Sequence, residues 1–359
     1  MSQEAKVDIL TKEAFNQFYK NELTPVIQEL ERDRKRIVGK LWLVIFSGIA
    51  VLVLSGMLNR LNFEYYIYVA FGGVFVVWKF FQIVLEEEDE LKLKVKTTAI
   101  NPLIKRVNES FKYIPNQTIH KKIVNEAGFF KPKLASVSGD DYVEGKVYTE
   151  GIHDTSTEMT FCEIEGKYSF SSHQRTVMPY FRGLFYVVDF NKHFDGHVYV
   201  FPKKKEIEYT LLENVVEPDK ETFKKVELES VSFTKLFDVY GTDPILTRYI
   251  LTPRLMERIE QFSAYAMTHE AYMTEMFPNM SIAKRRSLRR KKKGYGVMPF
   301  FSFKNGMLYI LIPTQTKHFE FKLMKRLDER VFENYYYDII LALRIVEELN
   351  LNLRIWTKQ

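Results

Sequence analysis

Two apolar stretches near the N-terminus decide the fold of this chain: LWLVIFSGIAVLVLSGML at residues 41–58 and YYIYVAFGGVFVVWKFFQIVL at residues 65–85. At about 1.5 Å per helical residue they give helices of roughly 27 and 31 Å, long enough to cross the hydrocarbon core of a membrane. The first stretch has no charged residue, and the second has only Lys79. The alternative, two buried helices of a soluble protein, is disfavoured because such long apolar runs are rare in soluble cores.

The short link at residues 59–64 predicts that the two spans form an antiparallel hairpin. Tyrosine and tryptophan side chains lie near the span ends, where amphipathic rings prefer to sit: Trp42, Tyr65, Tyr66 and Trp78. Basic residues set the orientation, because Arg32, Arg34, Lys35, Arg36 and Lys40 precede the first span and the link holds only Arg60. The positive-inside rule then predicts a multi-pass cell-membrane protein with both termini in the cytoplasm.

The residues on either side of the hairpin carry opposite charges. The acidic run EEEDE at residues 86–90 follows the second span directly, at the expected depth of Arg34, Lys35 and Arg36. We therefore expect both helices to continue past the membrane as a charge-paired stalk; two independently solvated charge runs are the alternative. Thr24 followed by Pro25 predicts the start of a new helix that runs into the first span.

Charge is concentrated in one segment rather than spread over the surface. Of 52 basic residues, eight lie between positions 284 and 293: Lys284, Arg285, Arg286, Arg289, Arg290, Lys291, Lys292 and Lys293. Without these eight, 44 basic residues face 46 acidic ones. We expect this basic run to contact anionic lipid headgroups. A plain solvated loop and binding to nucleic acid or another polyanion are the alternatives, and nucleic acid is disfavoured because no aromatic residue interrupts the run.

After residue 134 the pattern changes to short strands with two later helices. Residues 184–190 and 197–201 read as strands, and Asn305-Gly306 between 300–304 and 307–312 is a strong hairpin signal. Residues 226–240 form another expected strand region. One helix is expected after the cap Thr252 and Pro253, and a second near Asp328. Runs of strands with separate helices predict an α+β domain of antiparallel strands with flanking helices.

Signatures of catalysis are weak. The sequence lacks a Walker loop, a dinucleotide-binding glycine pattern, a Gly-x-Ser-x-Gly elbow and a His-Glu-x-x-His motif. Asp189, His193 and His197 are weak metal candidates, and a metal-dependent hydrolase built on them is the alternative function. Asp140-Asp141 is expected to serve turn chemistry before a strand. The single cysteine, Cys162, is expected in or near the core, and no cofactor is predicted.

The central block resembles a known family. Residues 226–240 read VELESVSFTKLFDVY, followed by Asp243 and by RYILTP at 248–253, and this pattern resembles the bacterial domain-of-unknown-function 3137 family. GDDYVEG at 139–145, FRGLF at 181–185, DFNK at 189–192 and the N-terminal hairpin agree with it, so the resemblance extends over nearly the whole chain. The basic run resembles an addition to the family pattern.

The resemblance implies a bacterial inner-membrane or plasma-membrane protein with no assigned activity, and an association with LemA-like membrane proteins. Asp238, Asp243 and Arg248 are family-motif residues of unknown role. By their chemistry, Asp243 is suited to cap a turn, and Arg248 to pair with Asp238 or Asp243.

The sequence thus predicts a membrane-anchored α+β protein. Its expected parts are an N-terminal helical segment (1–40), spans at 41–58 and 65–85 with an external link at 59–64, a helical connector (86–133) and a cytoplasmic α+β domain (134–359). We expect a binding or scaffolding module, in membrane organisation or envelope-stress response. Oligomeric state and partner identity are not encoded in any motif.

Overall fold

A computed structural model describes residues 12–61, 64–131, 133–148, 156–167, 179–190, 192–203, 218–276, 298–314 and 321–349. The chain divides into two compact units. The first, called the helical unit here, comprises Met1–Leu103 and Phe319–Glu333, and the second, the sheet unit, comprises Ile104–His318 and Asn334–Gln359. The sheet unit therefore begins inside the segment 86–133 that was expected to be a helical connector.

Two long helices dominate the helical unit. After α1 (Lys12–Phe18), one turn of π-helix (Tyr19–Leu23) leads into α2 (Thr24–Arg60). The second long helix, α3 (Tyr66–Val95), continues through another π-turn (Lys96–Ile100) into α4 (Asn101–Val107). The predicted span 41–58 lies inside α2, which begins well before it, and all of span 65–85 except Tyr65 lies inside α3, which ends well after it.

An α-helix begins at Thr24 and runs through the first predicted span, but Thr24 is not its N-cap, because helical structure is already formed before this residue. The Thr24 N–H donates to the carbonyl of Tyr19 five residues earlier, and the Thr24 hydroxyl donates to the same oxygen at 2.9 Å. Proline lacks an N–H, and its ring collides with the carbonyl four residues before it in a regular helix. A π-turn widens the helix just ahead of Pro25, and another stands just ahead of Pro102, so the helix continues in both places.

Strands and short helices form the sheet unit. Its strands are β1 (Lys112–Ile114), β2 (Ser136–Tyr148), β3 (Ser156–Lys167), β4 (Pro179–Asp189), β5 (His197–Pro202), β6 (Lys224–Lys225), β7 (Phe237–Gly241), β8 (Phe300–Lys304) and β9 (Met307–Pro313). Its helices are α5 (Lys121–Glu126), α6 (Val231–Leu236), α7 (Pro244–Ile250) and α8 (Pro253–Met276). The last helix, α9 (Glu329–Glu348), begins at the end of the helical unit's second segment and runs into the sheet unit.

The described strands form one nine-stranded antiparallel sheet in the order β1-β2-β3-β4-β9-β8-β5-β7-β6. The hairpin predicted at Asn305-Gly306 is confirmed: it joins β8 to β9, and both turn residues have positive φ, as a tight two-residue turn requires. The strands predicted at 184–190 and 197–201 also exist, but this hairpin separates them in the sheet. The α+β fold class is thus confirmed, and the order of its strands is set by pairings between distant parts of the sequence.

Both faces of the sheet are buried. On one face, Cys162, Phe185 and Leu311 pack against the segment that contains α5 and Phe129. On the other face, Phe301 meets Phe262 of α8, with ring centroids 6.2 Å apart. The predicted apolar stripes of the two later helices are buried. They consist of Leu255, Ile259, Phe262 and Ala266 in α8, and of Phe332, Tyr336, Ile339, Leu343 and Val346 in α9.

Two local predictions for the sheet unit are wrong. Residues 226–240 are not one strand region, because Ser230 caps the short helix α6, its hydroxyl accepting from the N–H of Phe233 at 3.3 Å. Asp140-Asp141 does not form a turn before a strand but lies within β2, where the register with β3 shifts. Asp141 adopts φ +59° there, which places its side chain inward, and its carboxylate accepts a hydrogen bond from the Tyr113 hydroxyl.

The C-terminal end of α5 is fastened to the sheet by side chains of the sheet itself. Its last carbonyls, which a helix leaves without partners, accept from Lys304 (Glu126 O, 3.2 Å), Ser302 (Ala127 O, 2.7 Å) and Tyr199 (Gly128 O, 3.1 Å). Gly128 has φ +77°, and a Cβ there would lie 2.0 Å from the Tyr199 hydroxyl. Only glycine fits this position, so the helix end and the sheet face are matched to each other.

His197 completes this connection from the sheet side. Its Nε2 lies 2.7 Å from the Ser302 hydroxyl oxygen. Burial, with the nearby positive charge of Lys304, lowers the pKa of His197 from 6.5 to about 3, so the ring is neutral at pH 7. Because the serine proton goes to Ala127, His197 donates its Nε2–H to the serine oxygen. The histidine–serine pair is therefore a fully buried structural link rather than an exposed nucleophile and base.

We predict that Ser302→Ala lowers the free energy of unfolding of the sheet unit by about 1–3 kcal/mol, because Ala127 O and His197 Nε2 both lose a buried partner. Chemical denaturation of the full chain in mild detergent measures this. Ser232→Ala is the matched control: its hydroxyl donates to Glu260 at 2.9 Å on the exposed surface, and we expect a change within about 0.5 kcal/mol. Equal effects of the two variants would contradict the structural role of Ser302.

Candidate membrane-spanning hairpin and its charged stalk

The apolar parts of α2 and α3 point their side chains away from the protein. Both helices are long and apolar enough to cross a membrane, and only 6% of the apolar window of each is buried. Leu43 is 70% exposed and Phe71 is 73% exposed, although leucine and phenylalanine are normally found inside proteins. Contiguous apolar surface of this size marks an interaction surface.

Small residues let the two helices approach each other within this apolar region. A Cβ added at Gly73 of α3 would lie 2.7 Å from a γ-carbon of Val51 on α2, closer than side chains tolerate. Nearby, a Cβ at Gly48 of α2 would make an ordinary contact with Val77 of α3 at 3.6 Å. The helices therefore pack closely through glycine on valine, a type of contact that suits helices surrounded by lipid. The predicted antiparallel hairpin is confirmed.

Below the apolar region the two helices continue side by side as the stalk, defined here as residues 24–40 of α2 and 86–95 of α3. Lys40 pairs with Glu87, and Lys94 pairs with Glu29 at 2.6 Å and with Asp33 at 2.8 Å. The hydrogen bond from Lys94 holds the pKa of Asp33 below its usual value despite some burial. These pairs join one helix to the other beyond the apolar stretches, as expected, although of these pairs only Lys40–Glu87 joins a basic residue of α2 to the acidic run of α3. That the stalk lies outside a membrane stays a prediction.

The partners within the stalk differ from those suggested by the sequence. Arg34 and Arg36 do not reach the acidic run of α3, because each pairs with an acid three residues earlier on its own helix, Glu31 at 2.7 Å and Asp33 at 3.9 Å. Charged neighbours one helical turn apart compete directly with partners on a second helix. Sequence patterning identified the charged surfaces and could not assign the pairs.

A C-terminal segment of the helical unit is fastened to the stalk through Glu31 and Arg34. Arg34 forms a two-pronged ion pair with Glu31, both contacts at 2.7 Å, and donates a further hydrogen bond to Leu323 O at 2.9 Å. The Leu327 N–H donates to Glu31 at 3.1 Å. Phe321, Leu323 and Leu327 are buried. We call these four residues, Glu31, Arg34, Leu323 and Leu327, the clasp. The clasp joins residues almost 300 positions apart in the sequence, and no sequence motif predicts it.

The clasp carries a clear electrostatic signature. Burial acts to raise the pKa of Glu31, but hydrogen bonds from Arg34 and Leu327 and the charges of Arg34 and Lys35 outweigh it, so the pKa lies below its usual 4.5. The ionised carboxylate is thus the form that holds the segment. Two-pronged arginine–carboxylate pairs are among the stronger hydrogen-bonded contacts in proteins, which favours a fixed geometry here.

The family-motif residues of the sheet unit have structural partners. Asp243 caps α7, its carboxylate accepting from the Ile245 N–H at 2.9 Å, as expected. Asp238 pairs with Lys225 at 2.7 Å. The expected pairing of Arg248 with Asp238 or Asp243 is wrong, since Arg248 donates to backbone carbonyls, those of Glu227 (3.3 Å) and Pro244 (3.5 Å). Lys225, which directly precedes the quoted block at 226–240, was missed.

The metal candidates do not converge. Asp189 ends β4, His193 is exposed in the following segment, and His197 is buried against Ser302 and Tyr199. Across the described ranges, no group of three or more His, Cys, Asp or Glu side chains is placed to hold a metal ion. Cys162 is fully buried, and burial raises its pKa to about 12, which confirms a core thiol.

A comparison with protein families finds a match in the C-terminal half of the chain. Residues 179–283 and 285–351 match the model of the family described as "Protein of unknown function (DUF3137)". The chain resembles DUF3137. No curated protein and no solved structure matches it.

The DUF3137 match covers just under half of the chain and includes Asp238, Asp243 and Arg248. The motif at 139–145 and the N-terminal hairpin lie outside it, so family resemblance in those parts stays a prediction. Residues 285–293 of the basic run lie inside the matched residues, and Lys284 lies at the break between the two matched segments; that the run is an addition to the DUF3137 pattern stays a prediction. Residues 284–293 lie outside the described residues, and their proposed contact with lipid stays a prediction.

We predict that Gly73→Leu separates α2 from α3 in the apolar region, because the new side chain would occupy the position of Val51. Gly72→Leu is the matched control, since a Cβ at the neighbouring Gly72 has nothing within 4 Å. Thermal unfolding in detergent should show a loss of about 1–3 kcal/mol for Gly73→Leu, typical of overpacking, and little change for Gly72→Leu. Similar losses for both variants would contradict the observed helix pairing.

We predict that Glu31→Gln releases the clasp. The amide of Leu327 should lose hydrogen-exchange protection by about ten- to a hundredfold, because a charged hydrogen-bond acceptor is replaced by a neutral one. Since the folded pKa of Glu31 is depressed, its contribution is complete above pH 4.5 and is lost as the pH falls through the folded pKa; the variant should lack this acid-dependent loss.

The control for the clasp is Arg36→Gln, whose contact with Asp33 is longer and whose side chain is 65% exposed. It should leave the exchange of Leu327 unchanged. Retained protection of Leu327 in Glu31→Gln would show that the apolar residues of the segment hold it without the carboxylate.

Proposed function

We propose that this chain is a two-span membrane protein whose hairpin anchors a cytoplasmic α+β domain, and that this domain works by binding or scaffolding. The single observation that carries the anchoring is the exposure of both apolar windows, of which 6% is buried. Elsewhere in the described residues, the large apolar side chains are mostly packed into a core.

Solvation energy supports the anchor. Keeping one large apolar side chain in water rather than in an apolar environment costs about 1.5–3 kcal/mol. More than twenty large apolar side chains of α2 and α3 are exposed, Leu43, Phe46, Leu52, Met57, Phe71 and Phe80 among them. A bilayer removes this cost, and the continuous helices satisfy their own backbone hydrogen bonds, as lipid requires.

The charges at the two ends of the hairpin support the orientation. The stalk end holds Lys40, Arg36 and Lys35, whereas the described part of the link end holds Arg60. Short loops rich in lysine and arginine remain in the cytoplasm during insertion. The pair Lys40–Glu87 lies where the apolar sequence begins, and it marks the expected boundary between lipid and cytoplasm.

The binding role is supported by the way the sheet unit uses its polar groups. His197 and Ser302 fasten α5, Asp243 caps a helix, and Cys162 is buried. These residues stabilise the fold, which favours a platform that acts through its surface. A LemA-like membrane protein, implied by the family resemblance, is the partner we propose for that surface.

Labelling in cells tests the anchor and its orientation together. In a Cys162→Ser background, single cysteines are introduced as Asn59→Cys near the link and Lys122→Cys on the exposed side of α5. We expect a membrane-impermeant maleimide to label Asn59→Cys in intact spheroplasts and to label Lys122→Cys only after lysis. The chain should also stay in the membrane fraction during alkaline carbonate extraction.

Each possible failure has a distinct meaning. Release of the chain by carbonate would refute the membrane anchor. Labelling of Lys122→Cys in intact spheroplasts, with the chain still in the membrane fraction, would instead reverse the orientation and place the sheet unit outside the cell. Lysed spheroplasts serve as the positive control for reactivity of both cysteines.

A further inference from the structure

Lys79 is a charged residue inside the apolar part of α3. About 9 Å of helix separates it from Leu85 at the stalk end of the apolar stretch, and about 20 Å separates it from Tyr66 at the link end. Its side chain is exposed on the outer surface of the hairpin. If the hairpin spans a membrane, as proposed above, Lys79 faces lipid on the side nearer the stalk.

Two aromatic side chains hold the ammonium group of Lys79. Its Nζ lies 5.2 Å from the centroid of the Trp78 ring and 6.0 Å from that of Phe75. The two rings are 6.0 Å apart, and both are about half exposed. Cation–π contacts of this kind orient an ammonium group but leave its hydrogen-bond donors unused.

Within the described residues, Lys79 makes neither a salt bridge nor a hydrogen bond, and its ammonium group lies over these two rings. Charged residues inside membranes are costly, and they are usually paired with an opposite charge. The sequences 41–58 and 65–85 contain no acidic residue, so a second copy of the hairpin cannot supply a carboxylate at this depth. Anionic phospholipids of the surrounding bilayer supply negative charge next to such a residue.

We propose that Lys79 and Trp78 form a binding site for the phosphate group of an anionic phospholipid in the leaflet nearer the stalk. Lysine binds phosphate as a point charge, and the indole N–H of Trp78 is a second donor beside it. To bind the phosphate, the flexible lysine stem turns from the Phe75 ring toward the headgroups at the stalk end, and the phosphate is drawn inward to meet it. The inference depends on the proposed membrane anchor.

Fluorescence quenching by brominated lipids tests the site. The full chain, with Trp42→Phe and Trp356→Phe so that Trp78 is the only tryptophan, is placed in vesicles of equal parts phosphatidylcholine and phosphatidylglycerol. Bromine is carried on the acyl chains of one lipid or of the other, so the composition of the bilayer never changes. We expect brominated phosphatidylglycerol to quench Trp78 more strongly, corresponding to about fivefold local enrichment.

Variants separate the site from general charge attraction. Lys79→Gln should make the two brominated lipids quench equally, whereas Lys79→Arg should keep the preference. Arg60→Gln, which removes an exposed cation at the link end of α2, should also keep it. Equal quenching by both lipids in the parent protein would overturn the site, as would loss of the preference in Arg60→Gln.

The same measurement distinguishes this proposal from the proposed function. If the hairpin is in the bilayer but the lipid site is absent, both brominated lipids quench Trp78 to the same extent. If neither lipid quenches Trp78 in any variant, the hairpin is not embedded, and the membrane anchor itself is refuted.

Discussion

The exposed apolar surface of α2 and α3 is the constraint on which the rest of the molecule depends. Each helix packs against the other along one side, through Gly73 on Val51, and the remaining sides are directed outward. Large apolar side chains are costly to keep in water, so this surface requires an apolar environment, and the proposed membrane anchor would supply one. The stalk continues the same two helices with charged side chains that pair between them.

The sheet unit is stabilised in a different way, by apolar packing on both faces of one sheet. Such a sheet depends on the elements that cover it, and the covering segment around α5 is held by hydrogen bonds from Tyr199, Ser302 and Lys304 to consecutive carbonyls. Polar groups that might suggest chemistry in a sequence thus serve to hold a helix end in place. The DUF3137 match covers much of this unit, together with the second segment of the helical unit, and includes Asp243 and Asp238, which cap and pair its elements.

Features encoded by neighbouring residues were predictable, and features made by distant residues were not. The two apolar helices, the Asn305-Gly306 hairpin and the cap at Thr252 each depend on a few adjacent positions. The insertion of β8 and β9 between β4 and β5, and the contact of Glu31 with Leu327, depend on pairings that no short window contains. The role of Thr24 as a cap was mispredicted for a related reason. A π-turn just ahead of Pro25 lets the helical structure continue through the proline.

The path of the chain has a practical consequence for anyone who divides this protein. It passes between the two units three times, near residues 103, 318 and 333, so neither unit is a continuous piece. A truncation that removes the N-terminal helices would leave Phe321, Leu323 and Leu327 stripped of the surface that buries them. Such a fragment would expose these apolar side chains to water and would tend to aggregate. Its poor solubility would then result from the truncation and not from misfolding of the sheet.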